Sequence, residues 1–136
     1  MMTTVFTVHG EPQGKARPRI LRNGRSYTPK RTAEYERAIR EAFLEAGGRM
    51  TEHPVRVSVT AYYQIPKSVS NRMKAQMRVN EILPTKKPDA DNVGKCVLDA
   101  LNKVAYKDDA QVCVLYVEKY YSYDPMIVVT VRELIL

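Results

Sequence analysis

Hydrophobic and polar side chains follow strand and helix periods along the first half of the chain. Residues 4–9 are rich in β-branched and aromatic side chains and predict a short strand. Residues 55–65 alternate strictly between apolar and polar, which predicts a second strand with one covered face. Between them, apolar side chains recur every three or four residues from Tyr35 to Ala46 and predict a helix, capped by Thr28 and ended at Gly47.

The second half of the chain predicts two helices and two strands. Residues 68–79 are basic and begin with serines, which indicates a short helix. Residues 90–104 carry an apolar stripe at helical spacing with a polar face opposite. Residues 112–121 and 126–134 are apolar on both faces, and the short turn between them predicts a hairpin of buried strands, central in a sheet.

This order, β-α-β-(α)-α-β-β, predicts a mixed α+β fold in which helices cover a sheet. The 136 residues contain no linker, repeat or low-complexity segment, so we expect a single domain over residues 1–136. Cys96 and Cys113 are too few for a disulfide scaffold or a zinc cage and favour a reducing, cytoplasmic setting. No apolar run approaches the ~20 residues that span a bilayer, and the N-terminus does not resemble a secretory signal.

Charge separates the chain into two unequal parts. The net charge is +7, and the first 40 residues hold nine lysines and arginines against three glutamates. A basic segment of this kind is typical of proteins that bind nucleic-acid phosphates, although a merely solvated basic surface would look the same. The candidate DNA-binding residues are Lys15, Arg17, Arg19, Arg22, Arg25, Lys30 and Arg31.

The aspartates are also clustered, since five of the six fall between residues 89 and 109. Asp89 and Asp91 flank the start of the predicted helix at 90–104, and Lys95 lies one turn further along the same face. Two carboxylates about 4 Å apart repel by about 4 kcal/mol at an effective dielectric of 20, so their convergence would favour a bound divalent cation. The alternative is structural: Asp89 caps the helix and Asp91 pairs with Lys95.

Asp108 and Asp109 form a second acidic pair, in the loop before the strand at 112–121. Their alternative interpretation is an exposed turn. On local geometry this loop lies near the far end of the helix, about 20 Å from Asp91, so the residues alone do not join the two pairs. The sequence contains neither a GxxxxGK[ST] nor a GxGxxG motif, which argues against a nucleotide cofactor.

Several segments together resemble the RusA family of crossover (Holliday) junction endodeoxyribonucleases. They are KPDADNVGK at 87–95, LDALN at 98–102 and DDAQV at 108–112. The N-terminal GKARPR at 14–19 and YTP at 27–29 are similar to the prophage branch of that family. The likeness covers roughly residues 8–133, and its motifs are specific as a set.

The resemblance implies a Mg²⁺-dependent homodimer that cuts two symmetric strands of a four-way DNA junction during recombination and repair. It matches the family's paired acids to Asp89 and Asp91, its essential lysine to Lys95 and its third acid to Asp109. It also implies that these acids meet to hold the metal, with a contribution from the dimer partner left open. The segment before Asp108 is one residue shorter than in the founding bacterial member, which keeps Asp108 as the alternative to Asp109.

Two other classes of protein are compatible with the charge pattern. One is a non-catalytic basic DNA- or RNA-binding module, in which the acids only cap helices and turns. The other is a metal-independent structural or regulatory dimer whose basic face binds an acidic protein. The first predicts DNA binding that ignores EDTA and produces no nick, and the second predicts no preference for branched DNA.

Overall fold

The computed structural model describes residues 2–16 and 19–135, with the side chain of Arg19 left undescribed. The strands are β1 (Thr3–His9), β2 (Arg19–Ile20), β3 (Ser26–Tyr27), β4 (Val55–Gln64), β5 (Val112–Ser122) and β6 (Met126–Glu133). The helices are α1 (Lys30–Glu45), α2 (Asn71–Arg78) and α3 (Ala90–Leu101), and a 3-10 turn spans Asp109–Gln111.

Four of these strands form one mixed sheet in the order β1-β6-β4-β5. β4 and β5 run parallel and are connected through α2 and α3, whereas β6 is antiparallel to both β1 and β4. β2 and β3 form a separate two-stranded ribbon inside the basic segment. The predicted α+β class is therefore confirmed.

The predicted hairpin between the last two strands is wrong, because β4 lies between β5 and β6. Ser122 pairs with Gln64 and Met126 with Tyr62, so the connecting residues cross over the end of β4. The Ile65 N–H donates to the Ser122 carbonyl at 3.1 Å and holds this crossing in place. β6 is central as predicted, but β5 is an edge strand. Apolar residues on both faces identified a strand without identifying its neighbours.

The core lies between one face of the sheet and the helices α1 and α3. Every second residue of β4 points into it and is at most 1% exposed, from Val55 to Tyr63. Ile39 and Phe43 of α1 are fully buried against this face, and Phe43 meets Phe6 of β1 edge to face with ring centroids 6.0 Å apart. The helical stripes predicted from sequence therefore do cover the sheet.

The ends of the helices differ slightly from the predictions. α1 has Pro29 at its N-cap position, one residue later than the predicted Thr28 cap. α3 ends at Leu101 because Asn102 is extended and Lys103 has a positive φ of 68°, which a helix cannot contain. In the described residues, no helix is long and apolar enough to cross a bilayer.

A glycine fixes how α3 lies on the sheet. A Cβ on Gly94 would lie 3.1 Å from Cγ2 of Val117 and 3.3 Å from Cδ2 of Leu115, so the helix approaches β5 closely at this point. The apolar stripe of α3, including Cys96 and Val97, is fully buried. The polar face must then point away from the sheet, and this face carries the predicted acids and lysine.

Candidate active site

The first acid pair occupies the start of α3 without taking either structural role that the sequence left open. Asp89 is the N-cap residue, but its side chain makes no capping hydrogen bond. Among the ion pairs of the described residues, none joins Asp91 to Lys95. All three side chains are exposed. Two carboxylates and an ammonium, none of them in an ion pair of the described chain, therefore line the first two turns of a solvent-facing helix face.

The two carboxylates of the second acid pair differ in whether they cap the 3-10 turn. The Asp108 carboxylate accepts a hydrogen bond from the Ala110 N–H at 3.1 Å and caps the 3-10 turn. This hydrogen bond is the main reason why the pKa of Asp108 lies below its ordinary value. Asp109 makes no such cap, and a hydrogen bond with Asp108 raises its pKa. The geometry therefore favours Asp109 over Asp108 as the functional acid.

Asp109 faces the middle and the end of α3 rather than its beginning. Its charged neighbours besides Asp108 are Asp99 and Lys95. Within the described residues, no three His, Cys, Asp or Glu side chains lie close enough together to hold a metal ion. The single chain therefore brings Asp109 to Lys95, and it does not gather Asp89, Asp91 and Asp109 into one cluster.

The donor chemistry at the start of α3 nevertheless fits Mg²⁺. This ion prefers hard oxygen ligands, and proteins often hold it by one or two carboxylates while water and substrate phosphate complete the octahedron. Asp89 and Asp91 offer two exposed carboxylates that no side chain of the described chain occupies. Further ligands from phosphate and water would suit this open position better than a closed protein cage.

The basic loop reaches this helix through two residues that sequence analysis did not single out for a role, Gly14 and Asn92. The Lys15 N–H donates to Oδ1 of Asn92 at 3.1 Å. A Cβ on Gly14 would lie only 2.3 Å from Nδ2 of the same side chain. A side chain at residue 14 would therefore displace the Asn92 amide that accepts the hydrogen bond from Lys15. The available signal was the pairing of a glycine-lysine step with an asparagine directly after the acid pair.

Lys15 itself forms the best-buried ion pair described in the chain. Its ammonium lies 2.9 Å from Glu36 of α1 and 3.4 Å from Asp99 of α3. Burial works to lower the pKa of Lys15, but the hydrogen bond and charge of Glu36, helped by Asp99, outweigh it and raise the pKa above its ordinary value. Lys15 thus links two helices, and its predicted role in DNA binding stays a prediction.

The other predicted DNA-binding side chains are mostly free of acidic partners. Those described and exposed are Arg22, Arg25, Lys30 and Arg31. Lys30 alone among them has an ion pair, 3.9 Å from Glu34 on the outside of α1, and exposed pairs of this kind are weak. Arg17 and the side chain of Arg19 lie outside the described residues.

Gln111 holds the second acid pair in place, and sequence analysis quoted it only as part of a motif. Its Oε1 accepts hydrogen bonds from the N–H groups of Lys107 and Asp108, at 2.9 and 3.1 Å. Its Nε2 donates to the carbonyls of Thr51 and His53, at 3.0 and 3.1 Å. One amide therefore fixes the acidic turn to the loop that precedes β4.

Comparison with known proteins now decides the family. The family model described as Endodeoxyribonuclease RusA matches residues 9–132. The chain belongs to the RusA family. It is also similar to the protein named "Uncharacterized protein YqaN" from Bacillus subtilis (strain 168), with 40% identity over 136 residues that cover 94% of each chain.

Membership of the RusA family confirms the resemblance seen in the sequence and gives the enzyme class, an endodeoxyribonuclease. The matched region spans every element that builds the site, from the basic loop through α3 to the acidic turn. The free acids on α3 therefore belong to a nuclease fold. The role of each acid is a proposal.

Proposed function

We propose that this RusA-family protein is a Mg²⁺-dependent endodeoxyribonuclease that resolves four-way DNA junctions as a homodimer, in DNA recombination and repair. The observation that carries this proposal is the unpaired state of Asp89 and Asp91 at the exposed start of α3. A nuclease needs carboxylates that are not already bonded to the protein, and these two satisfy that requirement.

Asp89 and Asp91 would hold the cation together with oxygens of the bound phosphate, and Asp109 is the third acid of the set. When bound, Mg²⁺ lowers the pKa of water and neutralises negative charge on the scissile phosphate. The position at a helix start also matters. Carboxylates are stabilised there by the helix dipole, so two like charges can be kept close without a permanent protein cation.

Lys95 would act on the same phosphate. It is exposed and one turn along the helix from Asp91, and it interacts electrostatically with Asp109. An ammonium is a compact positive charge with three donors, suited to stabilising charge that develops on phosphoryl oxygens or on the leaving group.

The basic segment would bind the arms of the junction. Arg22 and Arg25 project from the turn between β2 and β3, and Lys30 and Arg31 open α1. Contacts of this kind to the phosphate backbone position a protein without reading sequence. A two-fold symmetric dimer would present two such sites to the two strands that are cut, which suits paired hydrolysis.

The test uses a labelled, immobile four-way junction with Mg²⁺, with EDTA, and with an Asp91→Asn variant. We expect cleavage only with the wild type in Mg²⁺, and we expect Asp91→Asn to bind the junction at least as tightly because it removes phosphate repulsion. Asp124→Asn is a matched control, since Asp124 is an exposed aspartate in the turn between β5 and β6. It should cleave normally.

Full cleavage by Asp91→Asn in Mg²⁺ would remove the metal-site assignment. Binding that is indifferent to EDTA with no nicked product would instead favour the non-catalytic DNA- or RNA-binding module. Equal affinity for the junction and for duplex of the same length would contradict the junction preference.

A further inference from the structure

A pocket of about 260 Å³ lies beside the free acid pair. Its walls are the loop at residues 12–16, the first turn of α1 and Pro88. Pro88 directly precedes Asp89, so the pocket opens next to the start of α3. Gly14 forms part of the wall, and its Cα packs against Asn92 and Pro88, which leave no room for a side chain.

Two residues of the first turn of α1, Arg31 and Thr32, line this pocket. The N–H groups at the start of a helix have no intrahelical partner, and here no side chain caps them. The first turn contains no acidic residue, and Arg31, which lines the pocket, is in that turn. The positive end of the helix dipole adds to the guanidinium charge. None of the described residues that line the pocket is acidic.

Thr32 provides a second and independent observation. It lines the pocket, is only 4% exposed, and its hydroxyl makes no hydrogen bond within the described part of the chain. A hydroxyl on so buried a side chain normally has a partner, and without one in the protein it depends on what occupies the pocket. An occupant of the pocket that accepts a hydrogen bond would supply this partner.

We propose that this pocket binds a phosphate group of the DNA backbone close to the phosphate that is cleaved. The pocket is lined by the start of a helix, an arginine and a threonine, and a phosphodiester offers acceptor oxygens and one negative charge to their N–H, guanidinium and hydroxyl groups. Thr32 is then a positioning residue, which sets the strand so that the scissile phosphate meets Asp89 and Asp91. The identity of the ligand as DNA rests on the proposed function.

The test measures junction affinity in EDTA while single phosphates are replaced, one position at a time, by neutral methylphosphonates. For the wild type we expect about a tenfold loss at one position near the cleaved bond, as for a hydrogen bond to a charged group. Thr32→Val, which keeps the shape of the side chain, should bind the unmodified junction about tenfold more weakly. A methylphosphonate at the sensitive position should then cause no further loss of affinity. Thr32→Ser keeps the hydroxyl and should behave as the wild type.

Arg31→Gln and Lys30→Gln give a matched pair that does not alter a buried residue. Both remove one exposed charge, but only Arg31 lines the pocket. Arg31→Gln should remove the loss of affinity at the sensitive phosphate position. Lys30→Gln should lower the affinity for every modified and unmodified junction by the same factor and leave the loss at that position unchanged. If all variants share the wild-type profile, or if the wild-type profile has no single sensitive position, the proposal is overturned.

Inorganic phosphate separates a DNA site from a site for free phosphate. Shifts of the Arg31 and Thr32 amide signals at millimolar phosphate, combined with a flat methylphosphonate profile, would assign the pocket to free phosphate and overturn the proposal. Cleavage is assayed separately with Mg²⁺. A sensitive position without any cleavage would contradict the proposed nuclease function alone, and cleavage with a flat profile would contradict the pocket alone.

Discussion

The two ends of α3 carry the same type of side chain and use it in opposite ways. At its start, Asp89 and Asp91 are exposed and make no ion pair in the described chain. Near its end, Asp99 is half-buried and lies 3.4 Å from the ammonium of Lys15. One end thus has its cation built in, and the other offers carboxylates to a cation from outside. A cluster of aspartates acquires its role from what the rest of the fold brings to it.

The largest expected effect separates these two ends directly. Asp91→Asn should reduce the rate of junction cleavage by more than about a hundredfold, because it removes a proposed metal ligand. Its midpoint of urea unfolding should not change, since the side chain is exposed. Asp99→Asn should show the reverse pattern, with most of the cleavage retained and a loss of stability of about 1 kcal/mol. Cleavage kinetics and urea denaturation of both variants measure these effects. If the two patterns were exchanged, the assignment of a functional and a structural end would be wrong.

The next effect concerns the lysine that serves the structural end. Lys15→Met should lower the free energy of unfolding by about 2 kcal/mol, because it leaves Glu36, whose side chain is 9% exposed, without its partner. Lys30→Met is the matched control: its pair with Glu34 has side chains 90% and 64% exposed and should contribute less than about 0.5 kcal/mol. Urea denaturation measures both. Equal losses would mean that burial does not distinguish the two ion pairs.

The pH dependence of this ion pair has a definite sign. The pKa of Lys15 is raised in the folded state, so its contribution is fully present below the ordinary lysine pKa of about 10.4 and is lost as pH rises through the folded-state value. The stability difference between wild type and Lys15→Met should therefore be constant from pH 7 to about 10 and shrink above that. A difference that shrinks already at neutral pH would point to another group.

A smaller effect is expected where the basic loop meets α3. Gly14→Ala should destabilise the protein by about 1 kcal/mol, because the new Cβ overlaps the amide of Asn92. Asn92→Ala removes that overlap, so in the Asn92→Ala background the Gly14→Ala substitution should destabilise the protein clearly less. Thermal unfolding of the two single variants and the double variant gives the coupling. Strict additivity would show that the loop does not rest on Asn92.

The smallest effect is a shift in the titration of Asp109. Asp108→Asn keeps an acceptor for the Ala110 N–H but removes the carboxyl that raises the pKa of Asp109. The pKa of Asp109 should then fall toward its ordinary value, and any acid limb of the cleavage rate that depends on it should move to lower pH. Carbon-detected NMR titration of the carboxyl groups reports this shift. An unchanged Asp109 would mean that Asp99 governs it instead.

Local periodicity was enough to predict most of the elements and one face of the site. The stripe at Val93 and Cys96 placed the polar residues of α3 on its outer side, and the structure has them there. The charge and spacing of the two acid pairs also led to the resemblance that the family comparison bears out.

What the sequence could not provide were the contacts between distant segments. Lys15 meets Asn92 across 77 positions, and no local pattern distinguishes this lysine from Lys30. The same limit explains the error over the last strands: a short turn between apolar runs is compatible with a hairpin, and only β4 lying between them excludes it. The order of strands in a sheet depends on contacts across the whole chain, whereas hydrophobic periodicity describes one strand at a time.

The insertion of β4 between β5 and β6 also affects how the protein reaches its native state. Residues 112–133 cannot pair as an independent hairpin, because β5 and β6 each pair with residues of β4 that lie 57 to 78 positions earlier in the chain. Closing a large loop costs conformational entropy before the paired strands can make their contacts, so non-local pairing of this kind slows folding. Assembly of the sheet, and with it the seating of the acidic turn beside Lys95, is therefore completed only after the C-terminal strand has left the ribosome.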